Sequence, residues 1–171
     1  SDIDGESSSD YFGWSVSLSD DGSVVAIGGI YDDDAASDAG HVRIYENNNG
    51  TWTQIGSDID GESSNDHSGW SVSLSGDGSV VAIGARYNDG GGGNSGHVRI
   101  YENDNGTWTQ IGSDIDGEGS SDYFGESVSL SSDGSVVAIG AYGNDGNGSN
   151  SGHVRIYENN NGAWTQIGSD I

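Results

Sequence analysis

Apolar and polar residues alternate along Trp70-Ser71-Val72-Ser73-Leu74-Ser75, which marks a half-buried strand. Gly76-Asp77-Gly78 follows as a tight hairpin signal. Ser79-Val80-Val81-Ala82-Ile83-Gly84 is a continuous apolar run and fits a strand covered on both faces. After a Gly-, Asn- and Asp-rich loop over residues 87–95, alternation resumes in residues 96–102. Val98 and Ile100 take one face there, Arg99 and Tyr101 the other. Asn103-Asp104-Asn105-Gly106 supplies the next turn, with Asn-Gly chemistry that accepts positive φ. Residues 107–111 form the fourth strand, expected to run on towards Ile115. No segment has the apolar spacing of a helix.

This pattern occurs three times. Ser1-Asp2-Ile3-Asp4-Gly5-Glu6 returns at Ser57 and again at Ser113, a period of 56 residues. The repeats are 1–56, 57–112 and 113–168, and Ser169-Asp170-Ile171 begins a fourth. A fixed period of this kind signals units that bury their apolar faces against one another. The 171 residues are therefore expected to be one domain. Each unit is predicted to be a four-stranded antiparallel meander, which is the blade of a β-propeller.

The residues then resemble a known family. Tyr11-Phe12-Gly13-Trp14-Ser15-Val16-Ser17-Leu18, with Asp21-Gly22 and Val25-Ala26-Ile27-Gly28, is similar to the FG-GAP repeat of integrin α-subunit propellers. Tyr123-Phe124-Gly125 with Ala138-Ile139-Gly140-Ala141 repeats the match, so the resemblance extends over nearly the whole chain. It implies an all-β propeller of four-stranded blades, three per chain, in an extracellular or cell-surface adhesive setting. Two departures limit it. The Pro of the family motif is missing throughout. The calcium loop that many such repeats carry between the first two strands is reduced here to Ser19-Asp20-Asp21-Gly22, Ser75-Gly76-Asp77-Gly78 and Ser131-Ser132-Asp133-Gly134. Turns this short cannot wrap a calcium ion with six or more oxygens.

Propellers close with roughly 4–8 blades. Three blades leave two open faces, so the expected partner is the chain itself, two copies completing a six-bladed ring. The other expectation is further blades of a longer parent chain, of which this sequence, with no initiator Met, would be a piece. A monomer built as a three-fold β-prism or β-trefoil is the rival architecture, although Trp-Thr-Gln does not match the trefoil's Gln-x-Trp order.

Charge narrows the partners. Asp and Glu number 28 against four Arg and no Lys, giving a net charge of −24. Nucleic acid and anionic membrane need basic patches, so both are excluded as partners. Cations, basic partners, other extracellular proteins or glycans remain. There is no Cys, which removes disulfides and thiolate metal sites. No apolar run approaches the length of a membrane span.

The first candidate site is the Asp-x-Asp-x-Glu run: Asp2, Asp4 and Glu6; Asp58, Asp60 and Glu62; Asp114, Asp116 and Glu118. Asp10, Asp66 and Asp122 follow each run. Alternate residues of an extended segment share a face, so three carboxylates can converge, and an all-oxygen set suits Ca²⁺. The plainer reading is an acidic linker between blades. The loops from Tyr31-Asp32-Asp33-Asp34, Tyr87-Asn88-Asp89 and Gly143-Asn144-Asp145 are a second candidate. They vary most between repeats one and two, and three adjacent Asp residues would be the reason if repeat one holds a cation. His41, His97 and His153 supply one imidazole per repeat and are expected to be hydrogen-bonded structural residues. His67, where the other repeats have Tyr11 and Tyr123, is read as incidental. Arg43, Arg99 and Arg155 are expected to pair with carboxylates. Trp52, Trp108 and Trp164 are read as packing residues, or as platforms for sugar rings. Because Glu126 replaces Trp14 and Trp70, that position is expected near solvent. Asn49, Asn105 and Asn147 open glycosylation sequons.

No nucleophile–base pair or phosphate loop stands out, so no enzyme activity is expected. The functional expectation is a non-catalytic structural or adhesive module that mediates assembly. A lectin with one site per repeat and a designed consensus repeat without ligand are the alternatives.

Overall fold

A computed structural model describes residues 2–171; Ser1, the first residue of the opening motif, lies outside them. Each repeat folds as the pattern predicts. The first contains β1 (Phe12–Leu18), β2 (Val24–Gly29), β3 (His41–Asn48) and β4 (Thr51–Gln54), paired antiparallel in that order. A short strand, β5 (Ile59–Asp60), then returns to pair with β3. The second repeat contains β6 (Ser71–Leu74), β7 (Val80–Ala85), β8 (His97–Asp104) and β9 (Thr107–Gln110), followed by β10 (Ile115–Asp116) on β8. The third contains β11 (Ser127–Leu130), β12 (Val136–Ala141), β13 (His153–Asn160) and β14 (Ala163–Gln166).

The turns follow from their residues. In the β6–β7 hairpin Asp77 Oδ1 accepts the Ser75 hydroxyl at 2.8 Å and the Ser79 N–H at 2.9 Å, and Gly78 takes φ of 72°. Asn105 and Gly106 both have positive φ between β8 and β9, the two-residue turn whose twist suits a hairpin. One sequence expectation needs correction. The fourth strand ends at Gln110 instead of running on to Ile115, because Gly112 adopts φ of 76° and turns the chain back. Ile115 then pairs with Val98 of β8. The last residue repeats this move: Ile171 N–H donates to Val154 O at 3.0 Å and Ile171 O accepts from Val154 N–H at 3.1 Å.

Blades stack face to face. Val72, Leu74, Val81, Ile83 and Tyr101 of the second blade pack on Ala26, Val42 and Ile44 of the first, with Ile59 between. Ala82, Val98 and Ile100, on its other face, pack on Val137, Ile139 and Tyr157 of the third, with Ile115 and Phe124. Strands β1, β6 and β11 lie side by side as the inner strands. Polar pins recur at both junctions. Leu74 N–H donates to Ser17 Oγ at 3.0 Å, and Leu130 N–H to Ser73 Oγ at 2.9 Å. Ser15 Oγ donates to Gly69 O at 2.6 Å, and Ser71 Oγ to Gly125 O at 2.7 Å. The indoles of Trp108 and Trp164 donate to Ile55 O and Ile111 O at 2.9 and 3.0 Å.

The array is open at both ends, so the three-fold prism and trefoil are not formed. Val16 and Leu18 of β1 are 65% and 59% exposed, whereas their counterparts Val72 and Leu74 are 9% and 6% exposed. At the far end Val154 is exposed and Ile156 half-buried, whereas Val42, Ile44, Val98 and Ile100 are buried.

Candidate functional site

Pairing of the linker strand with the third strand places chemistry at each blade junction. Register sets His41 opposite Asp60 and His97 opposite Asp116. The second and third acidic runs are thereby divided between two junctions. Asp58 and Asp60 face His41, whereas Glu62 faces Arg99 and His97. Three His–carboxylate groups result, each with ligand atoms within 4.8 Å of one another: Asp32, His41 and Asp60; Glu62, His97 and Asp114; Glu118, His153 and Asp170. Among the described residues, no three carboxylates of a single run come together as such a group.

The remaining members of the runs have other contacts. Glu6 pairs with Arg43 Nη1 at 3.1 Å, and Asp4 offers its carbonyl oxygen to Arg43 Nη2 at 3.1 Å. Asp2 is exposed. Asp114 lies 3.7 Å from His97 Nδ1, and burial with the neighbouring Asp114 charge pushes the Asp116 carboxyl above the usual range. Glu118 pairs with Arg155, which also holds Asp170 through Nε at 2.8 Å. The expected Arg–carboxylate pairs are thus present in every blade. Asp66 and Asp122 stay apart from these groups and cap loops, each accepting a backbone N–H and the side-chain amide of Asn88 or Asn144.

The histidines differ from expectation. His41 is fully buried, and neither ring nitrogen makes a hydrogen bond. His97 Nδ1 is likewise buried and without a hydrogen-bond partner. Such groups carry a desolvation cost without a hydrogen bond to offset it; the nearest carboxylate oxygens are Asp32 Oδ2, 3.1 Å from His41 Nδ1, and Asp114 Oδ2, 3.7 Å from His97 Nδ1. Burial and the adjacent Arg99 depress the His97 pKa to about 4, so its ring is neutral at pH 7. Burial first, then the charges of Asp58 and Asp32, raises the pKa of Asp60.

The shortened turns are self-contained. Hydroxyls of Ser131 and Ser135 and the Ser135 N–H hold Asp133 down to about 2, and the turn at Asp77 is arranged alike.

A second surface escaped the sequence reading. Rings from successive repeats form a ladder: Tyr11–Tyr31, Tyr31–His67, His67–Tyr87, Tyr87–Tyr123 and Tyr123–Tyr142, with centroids 4.8–5.7 Å apart. His67 is therefore a rung and not incidental. Beside the ladder, at the start of the inner strands, Trp14 packs on Trp70 at 4.8 Å, and the Arg86 guanidinium lies 3.5 Å from the Trp70 ring centroid and pairs with Glu126 at 2.6 Å. Rings recurring at positions 11, 67 and 123, and at 31 and 87, were the available signal. Trp52, Trp108 and Trp164 lie instead on the outer strands, half-buried against blade cores.

The FG-GAP repeat model matches residues 3–45, 58–101 and 113–157. The chain belongs to the FG-GAP repeat family. Each match runs from the linker through the third strand, so the FG-GAP unit coincides with the blade without its outer strand. No curated protein compared with the chain matches it. Solved propeller structures do. Hydrazine synthase of Kuenenia stuttgartiensis aligns with TM-score 0.59 and 11% identity, covering 96% of this chain and 37% of that one. The periplasmic gluconolactonase of Pseudomonas aeruginosa aligns with TM-score 0.58 and 16% identity, covering 91% and 38%. A Bacteroides uniformis protein described as a 6-phosphogluconolactonase candidate aligns with TM-score 0.59 and 17% identity, covering 91% and 39%. At these identities the likeness is one of fold. The chain spans about two fifths of the length of each.

Proposed function

We propose that this FG-GAP chain is a non-catalytic assembly module whose two open ends dock on one another, so that two copies close a six-bladed ring. The carrying observation is that its ends are the two unmatched halves of a junction the chain already makes twice. Val16 and Leu18 present the face that Val72 and Leu74 bury, and Val154 and Ile156 present the face that Val42 and Ile44 bury. The polar pins extend by the same rule. Trp52 Nε1 corresponds to the indoles that bond Ile55 O and Ile111 O, so its partner would be Ile167 O of a second copy. Ser127 Oγ would meet Gly13 O, as Ser15 and Ser71 meet Gly69 and Gly125. Six is the one multiple of three within the roughly 4–8 blades that propellers use. Such head-to-tail contacts make rings where the rotation closes.

The integrin-like resemblance supports an extracellular or cell-surface setting, with the aromatic ladder and the Trp14–Trp70 platform as the face that meets other proteins. Glycans are the second ligand class this face suits, since exposed Trp and Tyr rings stack on sugars. A cation at the acidic junctions would join blade to linker. Leu18→Arg, at an exposed position within one chain, tests the assembly: it should leave the circular dichroism of the monomer unchanged and halve the mass in solution. A variant that keeps the mass of the parent would show that this face is not the interface.

A further inference from the structure

We propose that Asp32, His41 and Asp60, joined by Asp58, bind one divalent transition-metal ion of the zinc or cobalt kind, at the junction of the first blade with its linker strand. The starting observation is the imidazole. His41 is fully buried, both of its ring nitrogens lack hydrogen bonds, and Nδ1 lies 3.1 Å from Asp32 Oδ2 and 4.0 Å from Asp58 Oδ2. Asp60 adds a third carboxylate, with ligand atoms of Asp32, His41 and Asp60 within 4.8 Å of one another. Ligand atoms bound tetrahedrally to one such ion at about 2.1 Å lie about 3.4 Å apart, so closure needs side-chain shifts of up to about an ångström.

Comparison with the sister junctions singles out this one. Glu62 is paired with Arg99, and Glu118 and Asp170 with Arg155. Among the described residues no Arg pairs with the carboxylates of Asp32, Asp58 or Asp60. Arg99 Nη2 reaches only the Asp60 carbonyl oxygen at 2.6 Å, and Gln54 Nε2 donates to Asp58 Oδ1 at 2.5 Å, so three carboxylates crowd the buried ring. The residue at position 32 also differs. Repeats two and three have Asn88 and Asn144, whose amides donate to Asp66 and Asp122 at 2.9 and 3.0 Å. A carboxylate at this position has no such hydrogen to give, and Asp32 lies against His41 instead.

The donor set fixes the class of ion. Calcium and magnesium take oxygen ligands, whereas an imidazole with carboxylates suits zinc, cobalt, nickel or manganese. One nitrogen and two oxygens from Asp32 and Asp60 stand together, and Asp58, 4.0 Å from His41 Nδ1 but outside that group, would move in to complete the four positions of a closed structural site. Its ligands come from the loop after β2, from β3 and from the β5 linker strand, so the ion would staple the first blade to the segment that leads into the second.

The test is titration of the full chain, stripped with EDTA and dialysed, with Co²⁺. Visible d–d absorption gives the geometry and calorimetry the stoichiometry. One Co²⁺ per chain with tetrahedral-type absorption, displaced by Zn²⁺ and not by equimolar Ca²⁺, is the expected result. Asp32→Asn gives repeat one the residue its sister repeats carry, so the fold has a template for it; it should melt normally in EDTA yet bind Co²⁺ about tenfold or more weaker. Glu62→Gln, at the neighbouring group, should leave binding unchanged. Absence of Co²⁺ absorption, equal displacement by Ca²⁺, or loss of binding in Glu62→Gln but not in Asp32→Asn would each overturn the proposal. Ring closure does not enter the readout, because the ligands lie within one chain.

Discussion

The neutral imidazole at position 97 ties stability to pH. Its pKa in the fold is about 4, below the ordinary 6.5 of a free ring. Below pH 6.5 the unfolded chain takes up a proton that the folded chain refuses until about pH 4. The stabilisation is therefore complete above 6.5 and is lost as pH falls, by about 3 kcal/mol over the interval. Asp60, Asp66 and Asp116 act in the opposite sense, since burial raises their pKa values and the fold binds their protons first. Comparing urea unfolding of the parent and His97→Gln at pH 7 and pH 4.5, in EDTA, isolates the imidazole. The parent should lose more stability than the variant on acidification. Parallel losses would show that the ring is not held neutral. Such behaviour was not legible in the sequence, because a single His before Val-Arg-Ile-Tyr does not reveal the linker strand that buries it.

Elements were more legible than sites. Alternation in β6, the apolar run of β7 and the Asn-Gly turn before β9 are local signals, and the strands stand where those signals put them. The β5 and β10 pairings were hidden, since two-residue strands leave no period to read. They also explain why the Asp-x-Asp-x-Glu runs scatter: the segment lies across a junction and shares its carboxylates between two blades. Glycines of the second strand show how tightly blades approach. A Cβ on Gly84 would sit well inside van der Waals distance of Gly125 O on the next blade, and one on Gly28 would meet Gly69 O in the same way. On Gly140, at the open end, an added methyl approaches the rotatable Ser127 hydroxyl at 2.5 Å and meets no backbone of a neighbouring blade. Gly84→Ala should therefore destabilise the chain by about 2–3 kcal/mol through strain at a packed junction. Gly140→Ala should leave the single chain near the parent's stability while blocking association. Equal melting shifts for the two variants, measured at concentrations too low for association, would contradict the asymmetry.

At the largest scale the chain is a run of recurring junctions whose two end faces are exposed. Propeller architecture and three-blade count were legible from the 56-residue period and the turn chemistry. The aromatic ladder was not, because the contacts that link rings of successive repeats, Tyr31–His67 and Tyr87–Tyr123, form only when the blades stack. Charge also acts at this scale. A net charge of −24 opposes association of two copies, so salt should strengthen the ring by screening until apolar burial dominates. Sedimentation or light scattering across a salt series measures this directly, and weakening with added salt would point to an interface held by ion pairs. The central claim, that the open ends are two halves of one interface, is tested most directly by the mass of the chain in solution at micromolar concentration and physiological salt. The account predicts one closed species at twice the chain mass of 17.6 kDa. A well-folded species of single-chain mass, or an open-ended ladder of larger masses, would contradict it.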